Sequence, residues 1–310
     1  MKRRTFVTSA IAASTTLAAS PSVFAQTDAG TSTPTTEGEE MTGAAPKTGY
    51  APVNGLQMYY EIHGSGGVPL VLLHGAFATI GLWGDILKGL AQTRQVIAVE
   101  TQGHGHTADI DRPLRYGQMA DDTAALMEHL AIAQADVFGY SMGGGVALQL
   151  AIRHPELVRK LVLASASYTT EGVYPEVWAG VEAITPELFA GSPPEMAYLE
   201  TAPHPDDFPA LVAKVKDLES QELSLPAADI QAIASPTLLI IGDSDGVRPE
   251  HAVEMFRLLG GGVFGDLAGL PKSQLAVLPG TTHVGVVVER ADLLLALIPP
   301  FLDAPMPQAP

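Results

Sequence analysis

The sequence predicts an α/β protein, a mostly parallel central sheet with helices on both faces and a helical cap inserted between two strands. Three observations predict it. Short, continuously apolar runs such as VPLVLLHG, QVIAVE and ADVFGYS have the length and composition of strands buried on both faces. Segments with helically spaced apolar residues alternate with these runs, as parallel strands joined by crossover helices require. The alternation breaks once, from Tyr168 to about Ser235, where a Pro-, Glu- and Ala-rich stretch keeps helical spacing in PEVWAGVEAI and FPALVAKVKDLESQEL. A structureless excursion of that length is uncommon in a compact domain, so the stretch reads as a helical cap.

The elements follow in order. LQMYYEIHG alternates apolar and polar residues in the manner of an edge hairpin strand. VPLVLLHG is a buried strand, and TIGLWGDILKGLAQ spaces Leu82, Ile86, Leu87 and Leu90 as a helix would. QVIAVE is the next strand. MADDTAALMEHLAI is an amphipathic helix with Asp121 and Asp122 near its N-terminus, where the helix dipole favours acid. ADVFGYS, then the helix GGVALQLAIRH, then the strand KLVLASAS complete the part before the cap. After it come the strand PTLLIIGD, the helix PEHAVEMFRLL, the strand SQLAVLPG and a closing helix over VGVVVERADLLLALIPPFL. The core is thus expected over 48–167 and 236–310, and the cap over 168–235.

Composition narrows the function. The chain has 310 residues, 46% of them hydrophobic, enough for one sizeable core. Its net charge of −17 argues against a nucleic-acid partner, because phosphate binding needs clustered Lys and Arg. The absence of cysteine excludes disulfides, thiolate metal sites, Cys nucleophiles and an N-terminal lipobox. Residues 1–25 have a basic start, an apolar middle rich in Ala, Ser and Thr, and a Val-Phe-Ala ending that suits cleavage after Ala25. Arg3-Arg4 ahead of Thr5-Phe6-Val7 resembles a twin-arginine export signal, with the general secretory route as the alternative. Either export machinery would deliver the mature chain to the periplasm or beyond. Residues 26–47 are too poor in large apolar groups to offset ordering entropy and read as a disordered linker. No stable membrane insertion is expected: the apolar run near the C-terminus is short and broken by Pro299-Pro300.

The chemistry begins at Gly139-Tyr140-Ser141-Met142-Gly143, a G-x-S-x-G sequence with a buried strand before it and a helix after it. A sharp strand-to-helix turn would lift the Ser141 hydroxyl clear of the sheet, and it tolerates only tiny residues two before and two after the serine. A serine hydroxyl needs a base. Of the nine histidines, His283 in LPGTTHVGVV follows the last strand and so stands at the sheet edge from which Ser141 emerges. His63, His129, His154 and His251 fall on an early strand or on helices, and His204 falls in the cap. His104 and His106 have no carboxylate or further histidine at ligand spacing, so they do not read as a metal site. Asp243 and Asp245, after the strand PTLLIIGD, are both placed to orient the base. Two backbone amides are candidates for an oxyanion hole: Met142, next to the nucleophile, and Ala76, in the turn His74-Gly75-Ala76-Phe77. Tyr168, Tyr174, Trp178 and Phe189 are candidates either to line a pocket or to form the cap's own core.

HGAF, GHGHT, GYSMGGG, GDSDGVRP and PGTTH occur here in the order and spacing of the α/β-hydrolase fold family, which the chain resembles from about Thr48 to Leu302. The resemblance implies Ser141 as nucleophile, Asp245 as acid, His283 as base and Ala76 with Met142 as oxyanion hole, with no cofactor. Many relatives carry Asp where this chain has Glu100 and Ser where it has Thr107, in a loop that is structural in the family. A serine in the elbow separates it from the dehalogenases and epoxide hydrolases of the fold, which use Asp. The expected activity is hydrolysis of a small-molecule carboxylic ester or lactone. The alternatives are a cofactor-free perhydrolase, a C–C bond hydrolase, and a non-catalytic small-ligand-binding protein of the same fold.

Overall fold

The structure, a computed structural model, describes residues 45–221 and 224–306. The predicted export signal and the predicted linker as far as residue 44 lie outside the described residues. The first strand, β1 (Lys47–Val53), begins at the last residue of the segment read as linker. It turns through Asn54 and Gly55, both at positive φ, into β2 (Leu56–His63), the backbone a tight hairpin turn needs. β1 is the sheet edge, and β2 is interior, flanked by β1 and by β4 (Val96–Val99), contrary to the edge position expected for it. Gly49 and Pro52 weaken the strand signal of β1, and an edge is where a strand tolerates proline.

The remaining strands are β3 (Leu70–Leu73), β5 (Ala135–Tyr140), β6 (Val158–Ala164), β7 (Thr237–Ser244) and β8 (Gln274–Thr282). The eight form one sheet in the order β1-β2-β4-β3-β5-β6-β7-β8, parallel from β4 to β8. Alternate residues of each central strand enter different apolar clusters. Val71, Val137 and Leu163 pack with α2 (Tyr116–His129) and α3 (Met142–Arg153). Leu70, Phe138 and Val162 pack with α1 (Gly84–Ala91) and the C-terminal helix on the other face. Burial on both faces is why these strands read as unbroken apolar runs.

Between β6 and β7 the chain forms α4 (Pro175–Ala183), α5 (Pro193–Thr201), α6 (Phe208–Ser220) and α7 (Ala227–Ala232). The segment expected to be a helical cap is thus helical. After β7 come α8 (Pro249–Leu258) and the short α9 (Gly265–Ala268).

Three expectations need correction. α2 starts at Tyr116, a turn earlier than its apolar pattern suggested, so Asp121 and Asp122 are not in its first turn. Asp122 is instead buried against Arg112 and Asn54, and Asp121 pairs with Arg153 and His154. The closing helix is two, α10 (Gly285–Val288) and α11 (Ala291–Asp303). α11 runs through Pro299 and Pro300 rather than breaking there, with Ile298, Phe301 and Leu302 buried in the core. Tertiary burial outweighs the hydrogen bonds the two prolines remove. Among the described residues no helix is long and apolar enough to cross a membrane.

Candidate active site

Strand register assembles the site. Tyr140 pairs with Ala164 at the ends of β5 and β6, so Ser141 and Ser165 are the next residues out. Ser244 pairs with Thr282 after a bulge between β7 and β8, and Asp245 and His283 follow. All four side chains therefore leave the same edge of the sheet.

Ser141 has φ 53° and ψ −118°, a conformation in which a residue with a Cβ is strained. Its neighbours explain how the chain reaches it. A Cβ on Gly139 would stand 2.2 Å from the Gly143 carbonyl oxygen, and one on Gly143 would stand 2.0 Å from the Leu73 carbonyl oxygen. Glycine is obligatory at both, as the sequence pattern requires. Gly242 obeys the same rule at the acid strand, where a Cβ would meet the Thr281 carbonyl oxygen at 2.0 Å and force β7 from β8.

His283 Nε2 lies 2.9 Å from Ser141 Oγ, and His283 Nδ1 lies 2.7 Å from Asp245 Oδ1. With a neutral ring, Nδ1–H donates to the carboxylate and Nε2 accepts from the hydroxyl. Of the two candidate acids, Asp245 is the one that meets the imidazole. Its Oδ2 accepts from Ser165 Oγ at 2.6 Å and from the Gly242 amide, and its Oδ1 accepts from the Val247 amide. Burial pushes the Asp245 carboxyl up, but the hydrogen bond and charge of His283, with the Ser165 and Val247 donors, outweigh it and hold the group below the usual carboxylate range. Asp243 takes the turn-shaping role. It accepts from the Gly280 and Thr281 amides at 2.9 and 3.1 Å, fixing the approach to His283, and these bonds lower its pKa.

The turn carrying Ala76 lies against the serine. A Cβ on Gly75 would stand 2.9 Å from the Tyr140 ring and 3.4 Å from Ser141 Cβ. His74 locks this turn from inside the core: Nδ1–H donates to the Gly75 carbonyl at 2.8 Å, and Nε2 accepts from the Thr101 amide at 3.2 Å. Burial pushes the His74 pKa down, which keeps the ring neutral and able to do both. Met142 is the first residue of α3, so its amide has no partner within the helix. The Ala76 amide donates to no protein acceptor among the described residues. Met142 directly follows Ser141, and Ala76 directly follows Gly75, the residue whose backbone lies against Ser141.

The loop holding Glu100 is structural, as the resemblance implied. Buried Glu100 accepts from the Ile80 amide and from both the amide and Nδ1 of His106, and Thr107 Oγ1 donates to its carbonyl. A carboxylate therefore does stand beside His106, which spacing alone did not show. His104 is buried, and desolvation and the nearby His74 push its pKa down to about 3. Among the described residues no group of three or more His, Cys, Asp or Glu could hold a metal ion.

The aromatic candidates separate. Tyr168 stacks on His251 and donates to Glu254. Trp178 donates to the Thr170 carbonyl, and Tyr174 is exposed. Phe189 packs on Phe208 of α6 and also on Phe77, with ring centroids 4.6 Å apart, so it joins the cap to the turn that carries Ala76. Sequence reasoning missed two residues: Ser165, and Tyr140, whose hydroxyl donates to the His283 carbonyl at 3.1 Å. Ser165 left a faint trace, the small polar ending of the buried run KLVLASAS.

A family model described as the alpha/beta hydrolase fold matches residues 68–193. The chain is 32% identical over 220 residues to 2-hydroxymuconate semialdehyde hydrolase of Pseudomonas putida, covering 62% of this chain and 76% of that one. It is 29% identical over 253 residues to pimeloyl-[acyl-carrier protein] methyl ester esterase of Yersinia enterocolitica, covering 74% and 92%. With other curated relatives the match is shorter and spans only 36% and 44% of their lengths. Among solved structures, the enol-lactonase from Burkholderia xenovorans LB400 superposes with a TM-score of 0.60 at 24% identity, covering 82% of this chain and 100% of that one.

Proposed function

The chain belongs to the α/β-hydrolase fold family, and from that premise we propose that it is an exported serine hydrolase cleaving a carboxylic ester or lactone through an acyl-enzyme. The Pseudomonas putida and Yersinia enterocolitica relatives are both named as hydrolases of one bond type or another; the finer reading rests on one observation, the hydrogen-bonded line Ser141–His283–Asp245 beginning on a strained elbow. Ser141 Oγ attacks the carbonyl carbon while His283 Nε2 takes its proton. The carbonyl oxygen becomes an anion held by the Ala76 and Met142 amides. On collapse the C–O bond to the alcohol breaks and His283 returns the proton to the leaving oxygen. Water then attacks the acyl-serine with His283 as base, releasing the acid. Asp245 holds the ring in the Nδ1–H tautomer and offsets the imidazolium charge.

A panel of p-nitrophenyl esters of graded chain length, with lactones and a meta-cleavage-type C–C substrate, tests this on the mature protein. Burst kinetics and ester turnover that vanish in Ser141→Ala are expected. Binding without turnover would leave a ligand-binding protein instead. The C–C alternative is favoured by the Pseudomonas putida relative's name, and turnover of the C–C substrate alone would establish it in place of ester cleavage. Export rests on residues 1–25. The mature chain should begin at Gln26 on N-terminal sequencing, and Arg3→Lys with Arg4→Lys should retain the precursor if the twin-arginine route is used.

A further inference from the structure

The turn that carries Ala76 is held in a backbone conformation its residues do not favour. It runs Gly75-Ala76-Phe77-Ala78 and is closed by the Ala78 amide, which donates to the Gly75 carbonyl at 3.3 Å. Its third residue, Phe77, has φ 60°. Glycine fills that left-handed position of a four-residue turn freely, and a bulky side chain fills it only under constraint. Among the described residues the other side chains at positive φ belong to Asn54, Ala131, Ser141 and Ser165, so Phe77 is the one aromatic.

Two contacts hold the turn. On the core side the buried His74 ring donates from Nδ1 to the same Gly75 carbonyl that closes it. On the cap side the half-buried Phe77 ring packs on Phe189, with centroids 4.6 Å apart. Phe189 is fixed in turn: it is buried and meets Phe208 edge-on at 5.7 Å, and Phe208 meets Tyr198 at 5.2 Å. A row of aromatic rings thus runs from the interior of the cap to Phe77. The residue before Phe77 is Ala76, whose amide donates to no protein acceptor among the described residues. Backbone strain of this kind persists only where the surroundings over-determine it.

We propose that Phe189 is a positioning residue for the reaction: through the Phe77 ring it pins the strained turn in the conformation that presents the Ala76 amide to the developing oxyanion. The proposal rests on the serine-hydrolase reading above. It makes the cap part of the catalytic geometry rather than a cover alone. Without the ring contact, a turn with a Cβ at position 77 relaxes toward negative φ and carries the amide with it. A displacement of about an ångström in a catalytic group costs up to about a hundredfold in rate. An oxyanion donor acts mainly in the transition state, so the loss falls on kcat rather than KM. Glycine at position 77 has no such strain to release, so it keeps the turn without help from the cap.

Four variants test it with p-nitrophenyl acetate and butyrate, folding being checked by circular dichroism: Phe77→Ala, Phe77→Gly, Phe189→Leu, and Phe77→Gly combined with Phe189→Leu. Phe77→Ala and Phe189→Leu should each lower kcat about tenfold and leave KM within about twofold of the wild type. Phe77→Gly should be several-fold faster than Phe77→Ala, and the double variant faster than Phe189→Leu. Lost packing alone orders both pairs the other way, because each glycine variant has lost more of it. A glycine variant no faster than its counterpart would overturn the proposal, as would an unchanged kcat in Phe77→Ala and Phe189→Leu. A loss confined to KM would overturn it too and make the rings substrate contacts. If Phe189→Leu does not fold, the two Phe77 variants decide alone. If the wild type hydrolyses neither ester, or Ser141→Ala still does, the serine-hydrolase reading fails and the proposal with it. An active wild type without glycine rescue sinks the proposal alone.

Discussion

The sheet edge and the cap each hold a desolvated carboxyl group, Asp245 and Glu219, and their surroundings drive the two in opposite directions. Asp245, on the loop after β7, is buried but receives the His283 ring, the Ser165 hydroxyl and the Gly242 and Val247 amides, and its pKa falls. Glu219, on α6, is also desolvated but receives one hydroxyl, and its pKa rises. Burial is common to both, so the number of donors decides the sign. The core edge holds a carboxylate that its donors keep in the charged form, hydrogen-bonded to the His283 ring. The cap holds one whose ionised form burial disfavours.

Substitutions can break or sharpen this contrast. Ser141→Ala should lower ester turnover on the order of 10⁶-fold with the fold intact by circular dichroism; a variant keeping a tenth of wild-type activity would remove the serine from the mechanism. Asp245→Asn should lower kcat by roughly 10⁴-fold, because an amide favours the wrong imidazole tautomer. Asp243→Asn should stay active and lose thermal stability, because its carboxylate serves the turn. If Asp243→Asn were the inactive, well-folded variant, the two acids would exchange roles. Ser165→Ala removes one hydrogen bond to a charged carboxylate, about 1.5–3 kcal/mol, and should lower kcat tenfold to a hundredfold. An undiminished kcat would show that the backbone amides suffice to hold Asp245.

The smallest effects separate the two carboxyls by pH. The raised Glu219 keeps a proton in the folded chain at pH values where the unfolded chain has lost it, so its contribution falls as pH rises through that window. Glu219→Gln removes this cost, and its melting temperature should exceed the wild type's at pH 7, with the advantage fading below about pH 4.5. The depressed Asp245 has the opposite sign: it contributes stability at neutral pH that is lost as pH falls through its lowered value. Asp245→Asn should melt below the wild type at pH 7, with the gap closing in acid. Parallel pH profiles for the two variants would erase the contrast.

Much of this was legible in residue order. Strands buried on both faces announced themselves as apolar runs, and the elbow by its glycines. Asp245 and His283 were placed at the right edge because each follows a strand of a parallel sheet. β1 was hidden by Gly49 and Pro52. The first turn of α2 was hidden because its apolar pattern begins only at Met119. Tyr168 and Phe189 looked equivalent as large cap aromatics, and only packing sent one to His251 and the other to Phe77.

The sequence by itself determined the strained elbow at Ser141, because the constraint there is local: steric room within two residues on either side, which glycine alone supplies. It also determined the strand after which each partner follows. Only the tertiary structure decided which aspartate meets the imidazole, that Ser165 supports it, and that Glu219 accepts from Tyr116. Those facts depend on β7–β8 register and on contacts between residues about 80 to 100 positions apart, and no local pattern encodes them. The charge state of a carboxyl is decided later still, because it depends on how many donors reach the group after water has been removed.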